Sequence, residues 1–407
     1  PNYIIFYNFF IKINLLNKTK YCYQQRMLFN NKISRKFSLV YFSIFMVIGI
    51  NAPFFPLWLS SKGFEERYIA FILSAAVLTK LVVNPFFAGL GDKYGNRKIP
   101  MLYLSFLASL ILLSLNFVTA LYSLAILSIF SWALFAPLMP LTESITTTAL
   151  KKYKFDYGKT RLWGSVAFII VAFFGGLIIE EHGLKYVPIL MSLGAILVFI
   201  SICFMPTIKS LPARHKITTL SLLSNRNFFP FLLACGAIQS SHGIYYGFST
   251  IYWKSIGLSE TIIGALWAEG VIFEIILLAY FYKFKNYTSS KNFLILAGII
   301  ASIRWALMAY ADNILFIAII QILHAFTFGL THLAAIYFIS EVMPARAQAK
   351  SQALYSAISM GACLAISIAV SGDLYNLFYE KSFFFSSIIA FIGVIISLFF
   401  IKTRKIS

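Results

Sequence analysis

Charged residues are scarce in this sequence, and acidic residues are the scarcest of them. Only 12% of the 407 residues are charged, with 14 Asp and Glu against 34 Lys and Arg, whereas hydrophobic residues make up 60%. A soluble domain is about half apolar and a quarter charged. Together with a mean hydropathy of +0.81, this composition excludes an ordinary soluble domain and indicates a protein built for a lipid bilayer.

Several chemical motifs are also missing. The four cysteines show no CxxC spacing, which argues against a disulfide framework or a cysteine metal site. The sequence has no GxxxxGK[ST] loop to bind ATP and no HExxH or DxxxD-like cluster for metal or group-transfer chemistry. It also lacks the selectivity filter or repeated charged ring of an ion channel. We therefore predict no cofactor, no metal site and no enzymatic activity.

What the sequence has instead is a series of long apolar segments. A membrane-spanning helix needs about 20 mostly apolar residues, and twelve segments fit this description. They predict an all-α membrane protein with twelve transmembrane helices. The predicted spans are 37–59, 68–90, 99–117, 121–150, 162–179, 187–204, 228–253, 261–282, 293–310, 314–339, 353–369 and 383–401.

Basic residues alternate between the loops that join these segments. After residue 31, 23 Lys and Arg lie in the even-numbered loops or flank the first and last segments, while five lie in the odd-numbered loops. Basic loops favour the cytoplasmic side of a membrane. The pattern predicts a multi-pass protein of the cell inner (plasma) membrane with both termini in the cytoplasm. It also accounts for the net charge of +20 without a nucleic-acid partner.

The longest hydrophilic interruption covers residues 205–227 and predicts a cytoplasmic linker. It divides the chain into two six-helix bundles, 37–204 and 228–401, an arrangement typical of transporters that rock around a site at the bilayer midplane. Residues 1–36 and 402–407 are the predicted cytoplasmic tails. Residues 1–26 lack the features of a signal peptide, and Met27 offers an alternative start, in which case 1–26 are upstream sequence.

The loop after the second segment reads AGLGDKYGNRK. It resembles the G-x-x-x-D-[RK]-x-G-[RK]-[RK] signature of the major facilitator superfamily, although Ala88 and Asn96 depart from it. The resemblance implies a gating acid, Asp92, that meets cationic groups and a helix N-terminus when the cytoplasmic side closes. The gating residues implied by the signature are Asp92, Lys93, Gly95 and Arg97. His332 lies towards the cytoplasmic side of the tenth segment, where we predict a gating or packing role.

Further strings are similar to the phenylpropionate permease family of that superfamily. They are FDYGKTRLWGSVAF, SSHGIYYGFSTIYW, LWAEGVIFEI, ILHAFTFGLTHLAAIYFI and SQALYSAISMG. More distantly, the same positions resemble lactose/proton and nucleoside/proton symporters. The resemblance implies the major facilitator fold and proton-coupled uptake of a small molecule.

Ionisable groups within spanning helices cost at least about 2.5–3.5 kcal/mol each, so they normally face a cavity or a partner. Glu274 and Arg304 lie about 15 residues on either side of the turn between segments eight and nine. This symmetry predicts an ion pair at the middle of the bilayer, either permanent and structural or switchable and involved in proton coupling. Glu269 is turned about 140° away from Glu274 and ranks below it.

Segments four and five offer a comparable pair, Glu143 and Arg161. The symporter resemblance implies an acid and an arginine at these places in substrate binding, while Arg161 alone could also extend to the interface. Trp163 could stack on a ring substrate or serve only packing. Lys80, in the middle of segment two, is predicted to pair with Glu143 or to meet a substrate carboxylate.

Two further polar positions complete the predicted site. His242 and Tyr246 stand in the seventh segment as substrate-binding candidates, and His324 in the tenth is the histidine best placed for proton coupling. Histidine titrates near pH 6.5 and a buried carboxyl group can approach that range. Lactose symporters carry a glutamate one turn after the position of His324, where this chain has Thr327, so the familiar proton carrier is absent.

These features predict a monomeric secondary transporter whose partners are protons, the lipid bilayer and a small organic substrate. The cations and the many aromatic residues favour an aromatic carboxylate such as 3-phenylpropionate. A sugar or nucleoside proton symporter and an uncoupled facilitator or exporter remain the alternatives.

Overall fold

The computed structural model describes residues 32–208, 219–284 and 287–402. Most of the predicted N-terminal tail, the central part of the predicted linker and the last five residues lie outside the described residues. The described part is almost entirely helical, which confirms the all-α prediction. A short helix, Thr219–Leu223, belongs to the predicted linker.

Each predicted segment coincides with one helix or with an interrupted helix. The uninterrupted helices are α1 (Lys32–Ser61), α2 (Glu66–Lys93), α3 (Lys98–Ser114), α5 (Tyr157–His182), α6 (Tyr186–Phe204), α8 (Glu260–Phe284), α9 (Ser290–Met308) and α12 (Phe383–Phe400). The interrupted helices are α4 (Leu121–Phe135, Leu138–Tyr153), α7 (Phe228–Ser240, Gly243–Ser255), α10 (Ile314–Ile322, Thr331–Val342) and α11 (Ala345–Ala357, Cys363–Phe378).

Nine stretches within the described ranges are long and apolar enough to cross a bilayer. One of them, Arg346–Phe400, covers two predicted segments, and α3 is a shorter apolar helix. Eight of these helices begin one to eight residues before the predicted starts, because their polar first turns carry no hydropathy signal, and α4, α7, α10 and α12 begin at the predicted residue. These stretches account for ten of the twelve predicted segments. Because α3 is shorter and α7 falls into two helices of 13 residues each, the count of twelve membrane spans stays a prediction.

The four interrupted helices differ in what breaks them. Pro137 separates the halves of α4, since proline lacks an N–H donor and clashes with the preceding turn. His242 separates the halves of α7. In α10 and α11 the interruptions are π-helical, over Ala325–Leu330 and Ile358–Ala362. Single π turns occur frequently at functional sites.

Helices α1–α6 and α7–α12, which we call the first and second halves, repeat the same packing. The pairs α1·α5, α1·α6 and α3·α6 recur as α7·α11, α7·α12 and α9·α12. Helices α1 and α7 also end in the same way. Gly63 and Gly257, which follow these helices, both have a φ of 90°, and this backbone conformation ends each helix in a tight turn. The same packing scheme thus occurs twice among the described helices, and the predicted bundle boundaries stay a prediction.

Two lysines repeat in the same way. Lys98 Nζ donates to the carbonyl oxygens of Cys203 and Met205 at 2.8 and 2.6 Å, at the end of α6. Six helices later, Lys291 Nζ donates to two carbonyl oxygens at the end of α12, at 2.9 and 2.7 Å. A cation there satisfies unpaired carbonyl groups and complements the helix dipole.

The two halves meet through α5·α8, α2·α11 and α1·α7. Helices α2, α4, α8 and α10 end where the predicted basic loops lie, and we call this end of the bundle the basic end. We call the other end the opposite end. The close contacts cluster towards the opposite end: a Cβ at Gly264 would overlap the Ala172 carbonyl, and one at Gly372 would press on Ala70.

At the basic end the helices pack mainly within their own halves. The second part of α4 packs on α1, α3 and α5, and Ala345–Ala357 of α11 packs on α10. The two halves therefore join at the opposite end and separate towards the basic end. This arrangement leaves the inner faces of α2, α4, α5, α8 and α10 beside a space that opens at the basic end.

Candidate functional site

In the first half, the predicted partners Glu143 and Arg161 form an ion pair. Arg161 Nε lies 3.2 Å from Glu143 Oε1, with both side chains 28% exposed. The Tyr157 hydroxyl donates to the other carboxylate oxygen. Asp156 caps α5 by accepting from the Lys159 amide, so Tyr157 and Arg161 lie one turn apart on one face. Both can therefore reach the same carboxylate on α4.

Lys80 is half-buried in α2, and in the part of the chain that the structure describes it has no hydrogen bond or ion pair. The predicted pairing with Glu143 is not formed, because Arg161 and Tyr157 already occupy that carboxylate. Trp163 is 50% exposed and lies two residues, or about 200°, around α5 from Arg161. The structure therefore does not bring Trp163 together with the other predicted residues.

In the second half, Arg304 is fully buried in a shell of neutral groups. Its Nη1 donates to Thr327 Oγ1 at 2.9 Å and to His324 Nδ1 at 3.3 Å, and its Nη2 donates to Gln321 Oε1 at 2.8 Å. The guanidinium also lies over the Trp305 ring, 4.2 Å from its centroid. These contacts compensate part of the cost of burying the charge, and they fix its position.

The hydrogen-bond directions assign the protons of both histidines. A guanidinium only donates, so His324 Nδ1 is an acceptor and the neutral ring carries its proton on Nε2. His242 Nδ1 lies 3.2 Å from the Gln239 carbonyl oxygen and must donate to it. His242 Nε2, 3.1 Å from Thr327 Oγ1, then accepts from that hydroxyl, for whose single hydrogen the His324 carbonyl oxygen, at 3.3 Å, also competes. Arg304 thus donates to the Thr327 hydroxyl, and that hydroxyl donates to His242.

The predicted ion pair between Glu274 and Arg304 is not formed among the described residues. Glu274 lies ten residues before the end of α8, whereas Arg304 lies fourteen residues after the start of α9. Four residues correspond to about 6 Å along a helix, so the two groups differ in depth. Glu274 instead packs against Gly329 of the α10 π segment, while Gly270 packs against His324. His324 is therefore level with Arg304 and not with Glu274.

Glu274 is half-buried and accepts no hydrogen bond from the described residues. The charge of Arg161, in the first half, acts on it. Glu269 also lacks an ion-pair partner in the described ranges, but it shares a helix face with the exposed Ile272 and Ile276. Of the two glutamates, Glu274 faces the space between the halves.

Aromatic rings separate this space from the buried Arg304 cluster. Tyr246 is half-buried, and its ring stacks 5.8 Å from His242 and 6.2 Å from Trp267. Its hydroxyl makes no hydrogen bond within the described ranges. His242 itself has no exposed surface. Of the two α7 candidates, Tyr246 is placed to touch a substrate, while His242 supports it from behind.

The loop after α2 is held by Arg97. Its Nε and Nη2 donate to Asp92 Oδ1 at 2.9 and 2.6 Å, and its Nη1 donates to Ser144 Oγ on α4. Gly95 has a φ of 61°, which allows the tight turn, and Lys93 is exposed. Asp92 is thus paired within its own half while the basic end is open.

His332 lies beyond the π segment, towards the basic end. Its Nδ1 is 3.4 Å from the Tyr355 hydroxyl of α11, and the charge of Arg161 also acts on it. The two histidines of α10 therefore occupy separate environments, as predicted from their spacing. The gating role of His332 stays a prediction.

Two residues of this site were not predicted from the sequence. Gln321 binds Arg304 and also donates to the Tyr245 hydroxyl at 2.8 Å, and Tyr157 completes the shell of Glu143. The signal for Gln321 was present, because an amide in the same apolar run as two histidines needs a polar partner. Tyrosines carry no comparable signal in a sequence with 23 of them.

Comparisons with known proteins agree with this architecture. The model of the MFS_1 like family matches residues 34–386. A probable 3-phenylpropionic acid transporter of Escherichia coli (strain K12) is 31% identical over 88% of this chain and 95% of its own length. A maltose permease of Geobacillus stearothermophilus is 23% identical over 91% and 95%, respectively.

A solved structure shows the same fold. A mutant of the nucleoside transporter NupG superposes with a TM-score of 0.78 at 16% identity, covering 90% of this chain and 97% of that one. At 16% identity this similarity is evidence for the fold only, and it confirms the predicted major facilitator fold. The chain therefore belongs to the MFS_1 like family and is a multi-pass membrane transporter of the major facilitator type.

Proposed function

We propose that this protein takes up a small organic acid together with protons, across a plasma membrane in which both its termini face the cytoplasm. The proposed substrate is an aromatic carboxylate such as 3-phenylpropionate. The observation that carries the proposal is Lys80, a cation in the middle of α2 with no partner among the described residues.

An unpaired ammonium group inside a membrane protein is costly unless a counter-ion reaches it. The acids of the first half do not provide one, since Glu143 is held by Arg161. A substrate carboxylate would supply the missing charge, and the Tyr246 ring with its free hydroxyl would flank an aromatic group. A neutral sugar or nucleoside, as in the names of more distant relatives, would leave Lys80 uncompensated.

Glu274 is the proposed proton carrier. The predicted carrier His324 already accepts a hydrogen bond from Arg304, so protonating it would break that bond and place a second cation beside the guanidinium. Glu274 forms no hydrogen bond or ion pair with the described residues. A proton moving inward gains about 2.3 kcal/mol per 100 mV of membrane potential, and this energy can drive uptake only if proton and substrate binding are coupled.

The α5·α8 interface supports a means of coupling. At the opposite end, Ala172 of α5 abuts Gly264 of α8. Towards the basic end, Arg161 lies eleven residues from Ala172 on α5, and Glu274 lies ten residues from Gly264 on α8. Each separation corresponds to about 15 Å along the helix. Closure of the basic end would bring these two side chains together. Arg161 could then exchange Glu143 for an ionised Glu274, which links protonation to the position of the halves.

Uptake into proteoliposomes tests the proposal. Labelled 3-phenylpropionate, a nucleoside and an oligosaccharide are offered with and without an alkaline interior. The acid is expected to accumulate above equilibrium only with the gradient. Lys80→Gln is expected to raise its KM at least tenfold, as for loss of a charged hydrogen bond, whereas Lys151→Gln, a change at an exposed lysine, should leave KM unchanged.

Glu274→Gln separates coupling from binding. This variant is expected to lose gradient-driven accumulation while retaining exchange of labelled for unlabelled substrate. Uptake that is indifferent to both the pH gradient and the membrane potential would contradict symport. A normal KM in Lys80→Gln would show that the substrate is anchored elsewhere.

A further inference from the structure

Asn84 lies one turn after Lys80 on α2 and was not singled out from the sequence. Its carboxamide makes no hydrogen bond within the described ranges, and its Oδ1 is shielded from solvent. A buried polar atom without a partner costs about 1–3 kcal/mol, so such groups call for an explanation. Lys80 and Asn84 are thus two neighbouring polar side chains that both lack partners in the part of the chain that the structure describes.

The two side chains share the inner face of α2. The lipid-facing side of this helix is marked by Phe71, Val82 and Phe86, which are 62%, 71% and 60% exposed. At 100° per residue, Lys80 and Asn84 lie about 180° and 220° around the helix from Phe71. They therefore point away from lipid.

The same stretch of α2 borders the space between the halves. Leu81, next to Lys80, packs against Gly361 in the π segment of α11. Beyond this level, towards the basic end, Ala345–Ala357 of α11 packs on α10. Asn84 is one turn further towards the basic end than Lys80. The pair therefore lies where a ligand entering from the basic end would meet α2.

We propose that Lys80 and Asn84 form one subsite, which selects organic acids carrying a hydroxyl group in addition to the carboxylate. The inference rests on the proposed transport of an organic acid. Lys80 binds the carboxylate, and the Asn84 carboxamide, which both donates and accepts, binds the hydroxyl. Four helical residues span about 6 Å, which sets the separation of the two groups. An acid without a hydroxyl leaves the carboxamide unpaired.

Binding measurements on the full-length protein in nanodiscs test this subsite. The probes are 3-phenylpropionate, its ring-hydroxylated analogues and its α-hydroxy analogue, each titrated as a competitor of the labelled parent acid. We expect the best hydroxylated acid to bind about tenfold more tightly than the parent, the value of one hydrogen bond. In Asn84→Leu this preference should fall below twofold, while the parent acid still binds.

Two further variants test the adjacency. Asn84→Asp places a carboxylate one turn from Lys80, where it pairs with the ammonium and should weaken binding of every acid at least tenfold. Asn116 is the matched control: its Oδ1 is also buried without a partner, but it follows the end of α3 at the opposite end. Asn116→Leu should keep the wild-type preference.

Equal binding of hydroxylated and parent acids by the wild type would overturn the inference, as would an unchanged preference in Asn84→Leu. Normal acid binding by Asn84→Asp would show that the two side chains do not share a subsite. If the acids bind but hydroxylation has no effect, the proposed function stands and only the selectivity fails. Failure of every acid to bind would overturn both.

Discussion

Replacing Thr327 with valine tests whether the buried Arg304 cluster is held as one hydrogen-bonded unit. Thr327 Oγ1 accepts from Arg304 at 2.9 Å and lies 3.1 Å from His242 Nε2. Valine keeps the shape of threonine but removes both interactions. None of the three side chains has exposed surface, so water cannot replace the lost partner.

The expected loss follows from the two hydrogen bonds. A bond to a charged group contributes about 1.5–3 kcal/mol and a neutral one about 1 kcal/mol, but side-chain hydrogen bonds inside membrane proteins average only about 0.6 kcal/mol and reach about 1.7 kcal/mol. We assign a value near the upper membrane limit to the Arg304 hydrogen bond and the average value to the His242 hydrogen bond. Thr327→Val is then expected to lower the free energy of unfolding by about 2 kcal/mol. That is roughly a 30-fold shift in the unfolding equilibrium.

Equilibrium unfolding in mixed micelles, followed by tryptophan fluorescence, measures this loss. Thr327→Ser keeps the hydroxyl and is the matched control, with an expected cost of about 0.8 kcal/mol for one buried methyl group. In an Arg304→Met background, most of the effect of Thr327→Val should disappear, because the charged donor is gone. If valine and serine variants were equally stable, or if the effect persisted in that background, the proposed hydrogen-bonded unit would be refuted.

Three further outcomes are expected. Lys98→Met and Lys291→Met should each lower stability by about 0.5–1 kcal/mol in thermal denaturation, because each removes a cation from a helix C-terminus; a tenfold difference in the unfolding constant between them would contradict the repeat. Gly264→Leu should force α8 away from Ala172, so that cysteines introduced at the opposite end become more accessible to a soluble thiol reagent; unchanged labelling would refute the close contact. Nitrogen NMR should find His324 protonated only at Nε2 at neutral pH, and a signal from an Nδ1 proton would reverse the assignment.

The α10 segment shows how far the sequence reasoning reached. The spacing of His324 and His332 predicted two separate environments, and the structure places them beside Arg304 and Tyr355, respectively. The π segment between them, Ala325–Leu330, was not predicted. Its backbone geometry depends on how α8 and α9 pack against it, and no local residue pattern specifies that packing.

The two hairpin pairs show the same limit. Glu143 and Arg161 were expected to be equidistant from a turn, and they do form an ion pair. The same counting failed for Glu274 and Arg304, because α8 and α9 do not begin and end symmetrically about their loop. A difference of four residues is invisible in hydropathy but amounts to about 6 Å of depth.

The sequence by itself determined that this chain is a helical membrane protein, which stretches form its helices and which residues within them are ionisable. These properties depend on composition and on local hydrophobic length, because the bilayer requires each spanning segment to satisfy its own backbone and to be apolar. Only the tertiary structure decided which ionisable groups find partners. Arg304 is enclosed by neutral groups and Glu143 is paired, while Lys80, Asn84 and Glu274 have no partner among the described residues. Partnership depends on depth, rotation and the approach of distant helices, and these are fixed only when the helices pack.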